Sequence, residues 1–180
     1  VSRGTGRQII FEDNGDRKKF LDVLESALEK TSATLYAWCL MGNHFHLIIR
    51  SNKESLSKCM HVACGTYAHW FNKKSGRTGH LFQERFSSEP ILSEAHLLSA
   101  VRYVHMNPEK AGISKHNQYF WSSYREYLGH PELCDTVFVL DAFGGMNHFV
   151  CFHAGEHAKD RFIDADEWQT APRRMNDQEA

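Results

Sequence analysis

The sequence of 180 residues has no apolar run of membrane-spanning length, and no signal peptide is recognisable. It has no internal repeat and no low-complexity tract, which leaves one well-cored domain with room for an appendage. Cysteine is sparse and unpatterned: five residues, at 39, 59, 64, 134 and 151, with no CxxC. An odd, scattered set argues against a disulfide framework and for reduced thiols in a cytoplasmic protein. Cys59, His61 and Cys64 do not make a zinc cluster, because positions 59 and 64 do not share a face of the helix expected there. An initiating Met is missing too, so a chain trimmed at its start is expected. Neither sign of charge dominates, with 21 Lys and Arg against 22 Asp and Glu. The distribution is less even: the first 130 residues carry +5 and the last 50 carry −6. A mildly basic domain followed by an acidic tail can still bind phosphates on one face.

What is present centres on GNHFHLIIR, residues 42–50. In a strand, side chains two apart share a face, so His44 and His46 project together while Phe45, Leu47 and Ile49 enter a core. Imidazole suits transition metals, and such a pair is two-thirds of a three-ligand open site. The alternative, two ordinary histidines among the twelve in the chain, stays open at this point.

The flanking pattern gives the architecture. Residues 7–11 (RQIIF) read as a strand or its end, and Asp13, Asn14 and Asp16 as a helix start. Phe20, Val23, Leu24, Ala27 and Leu28 keep helical spacing to about Lys30. Residues 33–41 form an apolar strand that turns at Gly42-Asn43 into the histidine strand as a hairpin. A second helix is expected from about Ser55 to Asn72, buried along Leu56, Met60, Ala63, Tyr67 and Phe71, followed by a flexible basic loop. LFQERF alternates like a strand. A third helix begins near Ser93 and is expected to end near Asn107, because Pro108 disfavours helix at the residue before it. WSSYREYL is a shorter helical piece, and two weak helical patterns follow Gly129. This order implies an α+β fold: a ferredoxin-like antiparallel sheet of βαββαβ order with helices packed on one face, plus a helical C-terminal extension. The expected divisions are a catalytic domain over 1–130, an extension over 131–163 and a disordered polar tail over 164–180.

Tyr103 and Asn107, in RYVHMNP, are four apart and share a helical face. An amide oxygen is a fair third ligand beside two imidazoles, and a phenol next to a Lewis-acidic metal is equipment for attacking a phosphodiester. A packed aromatic and a helix C-cap are the plainer reading of the same two residues. His105, between them, is turned off the shared face and is not read as a ligand.

Together these pieces resemble the single-tyrosine HUH transposases, most closely the REP-associated tyrosine transposases. The matching segments run in order through most of residues 1–128: SRGTGRQIIFEDNGDRKKF, AWCLMGNHFHLII, LSKCMHVACGTYAHWFN, GHLFQERF, RYVHMNPEKAGI and WSSYREYL. The resemblance implies a ferredoxin-like fold and a divalent metal, Mg²⁺ or Mn²⁺ in the cell, held by His44, His46 and Asn107. It implies Tyr103 as the nucleophile that cuts single-stranded DNA at hairpin-flanked sites, leaving a 5′-phosphotyrosine and a free 3′-OH. The family's first strand usually begins upstream of the RG motif, and the acidic region after Gly129 lies outside the match.

Arg3, Arg7, Lys73, Lys74, Arg77, Arg85 and Arg102 are candidates to follow a phosphate backbone, and Trp70, Phe82 or Tyr119 to stack on bases. His153, Glu156 and His157 spell H-x-x-E-H, but a zinc-protease site needs a further acidic ligand on a formed helix, for which too little chain remains. Single-stranded or hairpin DNA is the expected partner, no membrane is, and a monomer is slightly favoured over a homodimer. Two other readings remain: a non-cleaving module that binds structured DNA, and a metal phosphodiesterase that uses water.

Overall fold

The computed structural model describes residues 1–155. Three strands, β1 (Ser2–Arg3), β2 (Thr34–Leu40) and β3 (His44–Arg50), form an antiparallel sheet in the order β1-β3-β2. The expected hairpin is present: β2 pairs with β3 from Thr34 opposite Arg50 to Leu40 opposite Phe45, and Gly42-Asn43 closes the turn. A register shift between Leu35 and Ala37 bulges β2. The bulge puts Tyr36 and Ala37 into the same core, although they are consecutive.

Among the described residues five α-helices surround the sheet: α1 (Asn14–Thr31), α2 (Lys53–Lys74), α3 (Glu94–Lys110), α4 (Thr136–Phe143) and α5 (Met146–Ala154), with a 3-10 helix over Ser123–Leu128 before α4. The start of α1 is set by a capping box, in which Asp13 accepts from the Asp16 N–H while the Asp16 carboxylate accepts from the Asp13 N–H. Helices cover both faces of the sheet rather than the one expected. On one face Phe20 and Leu24 of α1 and Met60 and Tyr67 of α2 pack with Leu35, Trp38, Leu40 and Phe45. On the other, Val101, Tyr103 and Val104 of α3, together with Phe143 and Phe149, pack on Tyr36, Ala37, Cys39 and Ile48. The hairpin is apolar on both faces, so both need a cover.

Two expected strands do not form. Residues 7–11 follow a tight turn at Thr5–Arg7, where Gly6 and Arg7 take φ of 59° and 61°. Ile10 and Phe11 then bury their side chains and donate both N–H groups to the Gly42 carbonyl at the hairpin tip. LFQERF lies beside β1, but only a single bridge, Gly4 to Phe82, is made. Its partner strand is two residues long and ends where the chain turns at Gly4, so there is no ladder to extend. Gly4 is confined there: a Cβ would approach the Gln8 carbonyl oxygen to 2.4 Å.

Pro108 does not end α3, which continues to Lys110. A proline cannot donate to the carbonyl four residues back, here that of Val104. The Asn107 side chain compensates: its amide nitrogen donates to the Tyr103 carbonyl at 2.8 Å and to the Val104 carbonyl at 3.4 Å. The helix thus passes the proline without leaving that carbonyl bare.

The second core contains a buried chain of histidines. His153 Nδ1 lies 2.8 Å from the Phe149 carbonyl, His105 Nδ1 lies 3.0 Å from His153 Nε2, and His105 Nε2 lies 2.8 Å from Ser123 Oγ. Burial, with His153 and His116 adding, holds His105 well below the ordinary histidine range. The folded form keeps this ring uncharged, whereas the unfolded chain binds its proton below about pH 6.5. Stability is therefore fully present above that pH and falls as pH drops through it, by up to ~1.4 kcal/mol per pH unit for such a group. The melting temperature measured in EDTA should fall by several degrees between pH 7.5 and 5.5. A flat or rising melting temperature over that interval would contradict a neutral, buried His105.

Candidate active site

The face alternation of β3 divides its side chains as its sequence requires. Phe45 is fully buried in the core with α1 and α2, with Leu47 and Ile49 packed against it. His44, His46 and Ile48 take the other face, and Ile48 packs in the core that contains Tyr103. The two imidazole centroids are 5.0 Å apart, in an edge-on arrangement.

His46 is 1% exposed, and its Nε2 is a buried atom with no hydrogen-bond partner among the described residues. Leaving such an atom unsatisfied costs roughly 1–3 kcal/mol, so it is a position where a ligand is wanted. Burial is the main cause that holds its pKa well below the ordinary value, and His44, Arg3 and Lys110 push the same way. At neutral pH the ring is uncharged and keeps a lone pair for a Lewis acid.

His44 is oriented by its neighbour. Its Nδ1 is 2.7 Å from Asn43 Oδ1, while Asn43 Nδ2 donates to the Arg7 carbonyl at 3.3 Å. That second bond fixes which end of the amide faces the ring. His44 then carries its proton on Nδ1 and presents Nε2 as the acceptor. The left-handed backbone at Arg7 belongs to the same turn that aims this carbonyl.

Helix α3 lies over the same face. The Tyr103 ring is 5% exposed, and its centroid is 5.7 Å from that of His46. Asn107 follows one turn later, buried, with its amide nitrogen committed to its own helix, so the oxygen is the atom it has to offer. Lys110, one further turn along the same side, places Nζ 4.2 Å from the Tyr103 ring centroid. Arg3 is paired directly opposite His44 across β1 and β3, so its side chain stands on the histidine face. A groove of about 740 Å³ leads away from the site, lined by His46, Ile48, Arg50, Leu97, Ala100 and Tyr103 among others.

No group of three His, Cys, Asp or Glu side chains is gathered for a metal among the described residues. Two imidazoles and an amide oxygen are a different donor set. The orphaned His46 Nε2 and the oriented His44 have the chemistry to fit a divalent cation.

The remaining candidates divide. Arg102 is 8% exposed, and its guanidinium donates to the carbonyls of Phe152 and Gly155, which ties α5 to α3 and removes it from any phosphate. Lys74 pairs with Asp13 and with the fully buried Asp16. Trp70 and Phe82 are half-buried and pack on Tyr67, and the half-buried Tyr119 donates its hydroxyl to the Leu40 carbonyl at 2.8 Å. Arg7 and Arg77 are brought to one region, because the loop after α2 docks on residues 5–8: the Arg77 guanidinium donates to Gln8 Oε1, and the Thr5 hydroxyl donates to the His80 carbonyl at 3.1 Å. Arg85 and Lys73 are exposed. His105 bonds to Ser123 and His153, not to the site. His153 of the H-x-x-E-H pattern is part of that buried chain, and Glu156 and His157 lie outside the described residues, as does the tail expected from Asp164.

Asn43 and Lys110 were not legible as site residues from type alone. Asn43 reads as a turn residue, and only its contact with the ring shows more. Lys110 could have been found by extending the Tyr103–Asn107 spacing by one further turn.

Asn43→Ala should leave the melting temperature of the metal-free protein nearly unchanged and weaken Mn²⁺ binding by roughly 10–100-fold, since such supporting contacts orient a ligating imidazole. Titration calorimetry of both proteins checks this, and equal affinities would show that His44 needs no orienting partner.

Comparison with known proteins gives one result: the family model described as "Transposase IS200 like" matches residues 1–107. No curated protein and no solved structure matches the chain.

Proposed function

Since the chain belongs to the IS200-like transposase family, we propose that it cuts and rejoins single-stranded DNA beside hairpins, in the manner of the REP-associated branch. In this reading Tyr103 is the nucleophile, and His44, His46 and Asn107 hold a divalent cation, Mg²⁺ or Mn²⁺. The single observation that carries it is the pairing of an orphaned, neutral His46 with a tyrosine on a helix over the same face. Such a cation supplies positive charge to polarise the phosphate oxygens.

The chain's own residues do the rest. The Tyr103 phenol gives up its proton as its oxygen attacks the scissile phosphorus, the bond from phosphorus to the 3′ oxygen breaks, and that leaving oxygen takes up a proton to become the 3′-OH. The new bond is a 5′-phosphotyrosine. One phosphodiester is exchanged for another, so a 3′-OH can reverse the step without ATP. The burial of Tyr103 fixes the ring before substrate arrives, which lowers the cost of alignment. The groove along Ile48, Arg50 and Leu97 offers a path for one strand. Arg3, Arg7, Arg77, Lys73 and Arg85 supply charge for the backbone and for a hairpin flank, while Lys74 contributes least, being engaged by Asp13 and Asp16.

Tyr103→Phe keeps the ring and its packing and removes the attacking oxygen. Incubated with end-labelled single-stranded substrate and Mn²⁺ and resolved by denaturing electrophoresis, the wild type should form a covalent adduct and the variant none, with DNA affinity retained. An adduct in the variant would move the nucleophile to another tyrosine. Cutting by the wild type without any adduct would make water the nucleophile and favour a phosphodiesterase.

A further inference from the structure

We propose that Lys110 is a further catalytic residue, whose ammonium contacts a non-bridging oxygen of the scissile phosphate and offsets the negative charge that gathers there as the Tyr103 oxygen attacks. This rests on the reading of Tyr103 as nucleophile. Three observations support it. Positions 103, 107 and 110 fall on one side of α3, so the helix that presents the phenol also presents the ammonium. The ammonium already lies against the phenol, 4.2 Å from the ring centroid, and the lysine is exposed at the rim rather than sealed in the core. Arg3 faces the same site from β1, opposite His44, so the site has one cation on the strand side and Lys110 on the helix side.

The helix carries Lys110 to this position only because it does not stop at Pro108. Ending at Asn107 would place residue 110 in a connecting loop. The Asn107 bonds that patch the helix at the proline therefore also fix where the ammonium stands. A lysine here is suited to the task, because a compact charge on a flexible stem can follow the phosphate as its geometry changes. Lys110 remains an ammonium throughout: one O–P bond forms and one breaks, and the proton lost by the phenol is balanced by the one gained by the 3′ oxygen.

The test compares wild type, Lys110→Arg and Lys110→Met for DNA affinity and for the single-turnover rate of adduct formation at saturating single-stranded substrate with Mn²⁺. Two substrates are used, one with the natural scissile phosphodiester and one with an uncharged methylphosphonate at that linkage. On the phosphodiester, Lys110→Met should lose roughly 100-fold in rate, the scale of removing one group that stabilises transition-state charge. Lys110→Arg should stay within about tenfold of wild type, because the charge is kept. On the methylphosphonate, the gap between wild type and Lys110→Met should shrink to a few-fold, since the charge that Lys110 answers has gone. The proposal is overturned if Lys110→Met cuts the phosphodiester at the wild-type rate or loses only affinity. An equal loss on both substrates would also overturn it, by making Lys110 a packing partner of the ring. If the wild type forms no adduct at all, the tyrosine reading itself fails, an outcome separate from these.

Discussion

The register between β2 and β3 is the constraint on which the candidate site depends. Cys39 faces His46 and Leu40 faces Phe45 across the ladder. A slip of one residue would turn Phe45 toward α3 and both imidazoles into the core beneath α1 and α2. That exchange is strongly opposed, because Phe45 packs at 4.5 Å on Phe20, and Tyr67, Trp38 and Leu40 share the same core. Ordinary hydrophobic burial on one side of the sheet thus holds two polar rings on the other. Leu40 and Met41 lead directly into the Gly42-Asn43 turn, whose carbonyls also receive the amides of Gly4, Ile10 and Phe11. The N-terminal segment therefore locks the same hairpin tip that orients His44.

Helix α3 is the second fixed part, and its position follows from apolar burial too. Val101 and Val104 seat it on Ala37, Cys39 and Ile48, while Arg102 and His105 bind it to α5 from the opposite side. Tyr103 has no freedom to swing far from His46 unless the helix moves as a whole. Helices α4 and α5 share this core, so the segment after Gly129 supports the helix that carries the proposed nucleophile. The site is consequently rigid on its strand side and buttressed on its helix side, which suits a reaction that depends on alignment.

Much of this was legible in the sequence, and the exceptions have physical causes. The alternation of His44-Phe45-His46 and the spacing of Tyr103 and Asn107 are local periodicities, and the structure keeps both. The stripe on α1 and the capping box at Asp13 and Asp16 were equally local. What could not be read were features that depend on distant partners. LFQERF has strand-like composition, but the strand beside it is only two residues long, and RQIIF follows a tight turn and directs the N–H groups of Ile10 and Phe11 to the hairpin tip. Pro108 reads as a helix stop unless the Asn107 side chain is seen replacing the missing bond. Arg102 looks like a phosphate contact until the carbonyls of Phe152 and Gly155 are found around it. Helix α3 turned out to cover the second face of the sheet, a matter of tertiary packing that no window of residues encodes.

In the proposed function the strand presents two imidazoles as one ligand pair, and His46 Nε2 is the buried atom without a hydrogen-bond partner among the described residues. Pulsed electron paramagnetic resonance of the protein loaded with Mn²⁺ reads this directly, because nitrogen bound to the ion produces its own hyperfine couplings. Two coordinated imidazole nitrogens are expected in the wild type and one in His46→Ala, with the fold retained in both. A wild-type spectrum without histidine nitrogen, or one unaltered by His46→Ala, would contradict it.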